Sequence, residues 1–172
     1  NATLYGAGMN IDIHPHPLDW LHLENTFSYV RGTLSQSQDG SKNLPFIPAA
    51  RLINEVKVDL LPKSKTFSQL YVKAELDNTF SQNEPFTGYN TETKTSGYTL
   101  LNAGFGGNVM SKNKVLFSLF FSANNIGDVA WQSHLSRLKY APENEVTGRM
   151  GVFGMGRNFS VKLNIPLSFT TN

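Results

Sequence analysis

Four histidines are the residues of this chain best suited to chemistry, and two of them, His14 and His16, flank Pro15 in the short stretch HPHPLD. A zinc site wants four converging ligands, usually supplied by thiolates or by imidazoles at close, regular spacing. The chain holds no cysteine and no two histidines four residues apart, so these read as turn histidines, and no metal or other cofactor is expected. His22, Glu24 and Ser28 make the best constellation for catalysis. Residues two apart on a strand share a face because of backbone geometry, not because a nucleophile meets its base, and no Ser–His–Asp arrangement results. An enzyme is therefore not expected. The fourth histidine, His134, lies in the polar stretch WQSHLSRLKYAPENE beside Trp131, Arg137 and Tyr140. An imidazole, a guanidinium and two aromatic rings suit contact with an anionic or aromatic ligand, and these four are the expected ligand-contacting residues.

The glycine clusters at Gly6–Gly8 and Gly104–Gly107 invite a nucleotide reading. That site needs a strand, then the glycines, then a helix N-terminus that holds the pyrophosphate. Neither cluster is followed by helical periodicity, so the glycines read as places where a strand bends or another segment approaches closely.

The elements that carry these residues are strands, since side chains alternate between two faces along most of the chain. Tyr5, Ala7, Met9, Ile11 and Ile13 share one face of the first segment, opposite Gly6, Gly8, Asn10, Asp12 and His14. Leu21, Leu23, Phe27 and Tyr29 do the same against His22, Glu24, Thr26 and Ser28. Five more segments follow, and the last, NFSVKLNIPLSF, sets Phe159, Val161, Leu163, Ile165, Leu167 and Phe169 against Ser160, Lys162, Asn164 and Ser168. In these segments every charge falls on the same side of its strand. Lys57 with Glu55 and Lys73 with Glu75 suggest a lattice of alternating charge on that polar face.

The strands, about 10 to 13 residues long, exceed the globular mode and match the tilted strands that cross a bilayer. Their connections alternate. HPHPLD, PKSK and MSKNK are short, whereas Thr33 to Pro48, Ser81 to Ser96 and Asp128 to about Gly148 are long and polar. Outer-membrane barrels have short periplasmic turns and longer extracellular loops, so the expected fold is an antiparallel up-and-down transmembrane β-barrel segment of about seven long strands. A soluble β-sandwich also alternates, because one face of each sheet is wet. Strand length, loop alternation and one-sided charge favour the barrel.

Composition narrows the partners. The 172 residues carry a formal net charge of +2, which suggests no nucleic acid. No apolar run approaches the roughly 20 residues of a membrane helix, which excludes a helical membrane protein and leaves a barrel open. The chain starts at Asn1 without an initiator Met or a signal segment, and it is expected to be a piece of a larger protein.

Several stretches together resemble the C-terminal barrel of TonB-dependent outer-membrane receptors: NLPFIPAARL at Asn43–Leu52, SGYTLLNAGFG at Ser96–Gly106, SANNIGDVAWQSHLSRLKY at Ser122–Tyr140 and GRNFSVKLNIPLSF at Gly156–Phe169. In that family an Asn-hydrophobic-hydrophobic-Asp element closes the penultimate strand; here it reads Asn125-Ile126-Gly127-Asp128, with Gly where Phe or Leu is usual. The resemblance implies that residues 1–172 are the last third of a barrel of about 22 strands, with the plug and the N-terminal strands lying outside this chain. It implies location in the bacterial outer membrane and TonB-dependent uptake of a scarce nutrient: siderophore-bound iron, haem, cobalamin or an oligosaccharide. The implied partners are that ligand, the lipid bilayer and the TonB–ExbB–ExbD complex, engaged through the missing N-terminal part. The barrel-assembly machinery would read Leu163, Ile165, Leu167 and Phe169 as its signal. Alone, the chain would have two free sheet edges and would be prone to oligomerise through them. The alternatives are a passive porin or adhesin barrel, or a soluble β-sandwich binding module.

Overall fold

The computed structural model describes residues 1–60 and 64–167. Its regular structure is ten strands and two single-turn 3-10 helices (Gly88–Asn90 and Arg137–Tyr140); the strands are β1 (Ala2–Ile13), β2 (Leu21–Gln38), β3 (Ser41–Asn43), β4 (Arg51–Leu60), β5 (Phe67–Thr79), β6 (Tyr98–Ser111), β7 (Lys114–Asn124), β8 (Glu143–Asn144), β9 (Arg149–Met150) and β10 (Asn158–Asn164). Seven of them form one antiparallel sheet in the order β1-β2-β4-β5-β6-β7-β10, with β3 attached to β2. Each strand pairs with its neighbour in sequence, so the sheet is a meander, and it is not closed. A two-layer sandwich is not what forms, since the other sheet among the described residues is the small β8-β9 hairpin.

The expected faces are present. Register sets Ile13, Leu23, Val56, Ala74, Ala103 and Ala123 in one row across β1 to β7, and Val58, Val72, Phe105, Phe121 and Val161 in another. Phe105 and Phe121 stack at 5.1 Å on this apolar side. Two polar pairs interrupt it and satisfy each other across strands: Asn54 Nδ2 donates to Asn25 Oδ1 at 2.6 Å, and Thr99 Oγ1 to Asn78 Oδ1 at 2.7 Å. Arg31 also shares the parity of the apolar stripe, but it lies in the part of β2 beyond its pairing with β4 and pairs with Glu84 of the second long connection.

On the polar face the charge lattice exists with partners other than those expected. Lys73 bonds Glu55 of the adjacent strand at 2.7 Å, and Asn102 donates to Glu75 at 2.8 Å. Arg51 grips Asp77 through two bonds of 2.7 and 2.6 Å, while Lys57 pairs with Asp59 at 2.9 Å. Neighbours across a ladder are closer than residues two apart along one strand, so interstrand register chose most partners.

Two expectations about boundaries are corrected. The stretch from Thr33, read as loop, continues β2 to Gln38, because Thr3 and Ala2 of β1 pair with Thr33 and Leu34. Asp39 and Gly40, both with positive φ (46° and 79°), then turn the chain into β3; Asp-Gly is a favoured tight hairpin turn. The C-terminal strand pairs with β7 only through Asn164, opposite Ser118. Pro166 lacks the N–H that would extend the ladder. Ile165 and Leu167 lie beyond the strand and are exposed, and Phe169 lies outside the described residues.

Burial shows where this chain holds itself together. The buried apolar side chains among the described residues are Ile47, Phe86, Leu100 and Ala123. Both faces of the sheet are otherwise open and β1 is exposed throughout. The packed region sits at the end of the sheet where the long connections meet.

Candidate ligand site among the long connections

Three connections, residues 39–50, 80–97 and 125–157, fold onto one another through a single carboxylate. Glu92 accepts from the backbone N–H of Phe46 at 2.7 Å and of Phe86 at 2.9 Å, joining the first two. Its Oε2 lies 3.7 Å from His134 Nε2, which brings in the third. His134 Nδ1 shares a 2.8 Å bond with Thr95 Oγ1, and Lys139 Nζ donates to Thr95 Oγ1 at 2.7 Å and to the Thr93 carbonyl at 3.1 Å. Glu92, His134 and Lys139 are all buried. A buried charge is tolerable when it is paired and hydrogen-bonded, and here backbone groups of the first two connections and the Thr95 hydroxyl do that work.

His134 Nε2 is the exception, being buried without a hydrogen-bond partner among the described residues. Burial, reinforced by the Lys139 ammonium, holds His134 below the usual histidine value of 6.5, against the opposing pull of Glu92. The neutral ring is therefore the form the folded loops prefer.

The base of the third connection is tied by the Asn125–Asp128 element. Asn125 is buried at 3% exposure and adopts φ 50°, a left-handed conformation that Asn tolerates better than most residues. Its side chain accepts from Val129 N–H at 2.8 Å and donates to the carbonyls of Val129 (2.9 Å) and Met155 (3.2 Å). Asp128, also left-handed at φ 52°, accepts from Arg157 N–H at 2.9 Å. Both ends of the connection are thus pinned beside the start of β10. Gly127 needs no side chain here, since a Cβ would meet only Val129.

A cleft of 650 Å³ opens beside this hub, lined by Lys94, Tyr98, Trp131, Gln132, Lys139, Tyr140 and Phe153 among others. Trp131 stacks on Tyr98 at 4.9 Å, and its Nε1 donates to the Met155 carbonyl at 3.2 Å. Tyr140 OH accepts from Thr93 N–H at 3.0 Å, and the Lys139 ammonium lies 4.8 Å from the Tyr140 ring centre. Burial, which raises the Tyr140 phenol, is outweighed by the Lys139 and Thr93 hydrogen bonds, so it lies below its usual value. Aromatic walls with a lysine at the back are suited to an anionic or aromatic ligand.

Of the four residues expected to contact ligand, Trp131 and Tyr140 line this cleft together. His134 is turned inward to Thr95 and Glu92, and Arg137 lies over the Phe46 ring at 4.8 Å; neither lines the cleft. Sequence reasoning missed Glu92 and Lys139. Their signal is weak, because TETKT reads as an ordinary solvated loop until the fold brings Phe46, Phe86 and His134 to it.

A larger hollow of 840 Å³ lies at the opposite end of the polar face, among Lys57, Asp59, Gln69, Tyr71, Asn108 and Phe120. It is a dish in one side of an open sheet, whereas the cleft is built from two connections and is the better candidate. At the same end, His22 bonds Asp59 at 2.7 Å and His14 bonds Asp12 at 3.0 Å, their rings 4.5 Å apart. Each imidazole has its own carboxylate, and among the described residues no three metal-ligating side chains converge. Glu24 and Ser28 do not join His22.

No family model matches the chain, and no curated protein matches it. Solved structures do. The copper transporter OprC superposes with a TM-score of 0.75 at 16% identity, covering 95% of this chain and 24% of its own. The ferric-catecholate import receptor Fiu from E. coli K12, in a closed form, gives 0.60 at 16% identity, covering 95% of this chain and 21% of its own. Both are TonB-dependent receptors. The chain has the fold of a segment of their barrels and spans less than a quarter of the length of either.

Proposed function

We propose that residues 1–172 are the C-terminal part of the barrel of a TonB-dependent outer-membrane receptor, which captures a scarce nutrient outside the cell and passes it inward past a plug. The observation that carries this reading is the two-sidedness of an open seven-stranded sheet. Arg31 excepted, the charges of these seven strands lie on one face, where Arg51 pairs with Asp77 and Lys73 with Glu55; the other face is apolar, and among the described residues nothing covers either. An apolar face of this extent is far beyond the exposed patches that soluble monomers carry. Lipid satisfies it, and the rest of a closed barrel satisfies the free edges of β1 and β10.

In this reading the polar face lines the lumen, the short turns lie in the periplasm, and the three long connections face outside. The cleft at Tyr98, Trp131, Tyr140 and Lys139 opens at the mouth of the lumen and contacts the incoming ligand. Gly104 leaves a shallow hollow in the inner wall beside Tyr71 and Lys73, where a plug segment can lie against it. The plug and the segment that engages TonB, ExbB and ExbD belong to the part of the receptor that precedes this chain. The barrel-assembly machinery reads Leu163, Ile165, Leu167 and Phe169 as its signal.

Fractionation of the source cells tests the reading. An antibody to this chain should detect an outer-membrane band several times larger than 19.1 kDa, whose mobility shifts on heating as a folded barrel does. A soluble band of about the size of this chain would refute it.

A further inference from the structure

One end of the apolar face differs from the rest. The β4-β5 and β6-β7 turns lie side by side there, joined by the bond from Met110 N–H to the Thr66 carbonyl at 2.7 Å. They carry Lys65, Lys112 and Lys114, all exposed. No Asp or Glu occurs between Leu60 and Ala74 or between Thr93 and Gly127, and among the described residues none of these three lysines has a carboxylate at ion-pair distance. The β1-β2 turn is built differently: its histidines His14 and His16 sit against Asp12 and Asp19.

Directly above the lysine turns the apolar face is grooved. The register of β5 against β6 shifts between Ser68 and Tyr71, and a Cβ on Gly107 would lie 2.2 Å from Leu70 Cδ2, so Leu70 lies down on a strand with no side chain beneath it. The result is a 300 Å³ depression walled by Leu60, Phe67, Val72, Phe105, Val109 and Leu119. Its walls are hydrocarbon, and Phe67 and Val109 in those walls lead within a few residues into the turns that carry the lysines.

Resting on the membrane reading above, we infer that this groove and its lysines form a binding site for an anionic phospholipid of the periplasmic leaflet. One acyl chain lies in the groove and the headgroup sits among Lys65, Lys112 and Lys114. The groove supplies a cavity that a straight acyl chain fills without displacing side chains. The unpaired lysines supply the charge that selects an anionic over a zwitterionic headgroup. That none of the three lysines has a carboxylate at ion-pair distance among the described residues is what makes the site selective: a mixed-charge turn, like that between β1 and β2, attracts no anion.

The test is native mass spectrometry of the full receptor released from bilayers containing equal amounts of phosphatidylglycerol and phosphatidylcholine. The wild type should retain one phosphatidylglycerol with a preference of roughly tenfold over phosphatidylcholine. The exposed-surface variant Lys65→Gln/Lys112→Gln/Lys114→Gln should lose that preference, and Val109→Trp, which fills the groove, should lower retention of both lipids. Equal retention of the two lipids by the wild type, or an unchanged preference in the triple variant, overturns the inference. A receptor that folds in bilayers, with a heat-shifted band, but shows no charge preference fails this inference alone. A protein that stays folded and monodisperse without detergent overturns the membrane reading and this site with it.

Discussion

Replacing Asn125 by Ala removes the knot at the base of the third connection. Three side-chain hydrogen bonds disappear, those to the N–H and carbonyl of Val129 and to the Met155 carbonyl. At about 1 kcal/mol net for each, the loss is about 3 kcal/mol. Ala at φ 50° adds about 1 kcal/mol of left-handed backbone strain that Asn tolerates. The connection should therefore open with a free energy about 3 to 4 kcal/mol lower than in the wild type. Hydrogen exchange over residues 125–157 reads this directly, and amides that exchange through local opening should exchange at least a hundredfold faster. Asn125→Gly separates the two contributions: it loses the same bonds but accepts the positive φ, so its exchange should fall between wild type and Asn125→Ala. Exchange within threefold of wild type in Asn125→Ala, or equal exchange in the two variants, would refute the assignment of Asn125 as the anchor.

Other consequences can be measured separately. Arg51→Ala leaves Asp77, buried at 7% exposure, without its bidentate partner; because Arg51 is itself half exposed, the expected cost is only about 1 to 2 kcal/mol in urea unfolding, and Arg51→Ala/Asp77→Ala should recover part of it. Val72→Arg puts a charge on the apolar face and should destabilise the protein folded in lipid by about 2 to 4 kcal/mol, measured by the same denaturation in vesicles. His134 gives a pH signature. Its value in the folded loops is below 6.5, so the unfolded segment binds the proton more readily. Loop stability is complete above the unfolded histidine value and falls as pH drops through 6.5 and below. Exchange of residues 80–97 and 125–157 should speed up on acidification, and His134→Gln should remove that dependence.

The two faces of each strand could be read from side-chain alternation, because a period of two records which side is wet regardless of how strands pair. Strand partners could not. Lys73 sits two residues from Glu75, yet its partner is Glu55, chosen by the β4-β5 register. The hidden length of β2 had a usable signal in Asp39-Gly40, where an Asp-Gly turn between polar segments marks a hairpin. The end of β10 also had one, in Pro166. Glu92 is different in kind: a loop carboxylate becomes a hub only when two connections deliver backbone N–H groups and a third delivers the His134 ring to it, and no local pattern encodes that meeting. For the same reason proximity in sequence groups Trp131, His134 and Tyr140, while the fold sets Trp131 and Tyr140 along the cleft and turns His134 inward to Thr95 and Glu92.

The central claim is that one face of the sheet meets lipid and the other an aqueous lumen. The chain contains no cysteine, so single cysteines can be placed along β5 and spin-labelled in the receptor reconstituted in bilayers. Labels at positions 72, 74 and 76 should be accessible to oxygen and shielded from a water-soluble nickel reagent, while labels at 71, 73 and 75 should show the reverse. Accessibility that does not alternate, or nickel reaching both faces equally, would contradict the account.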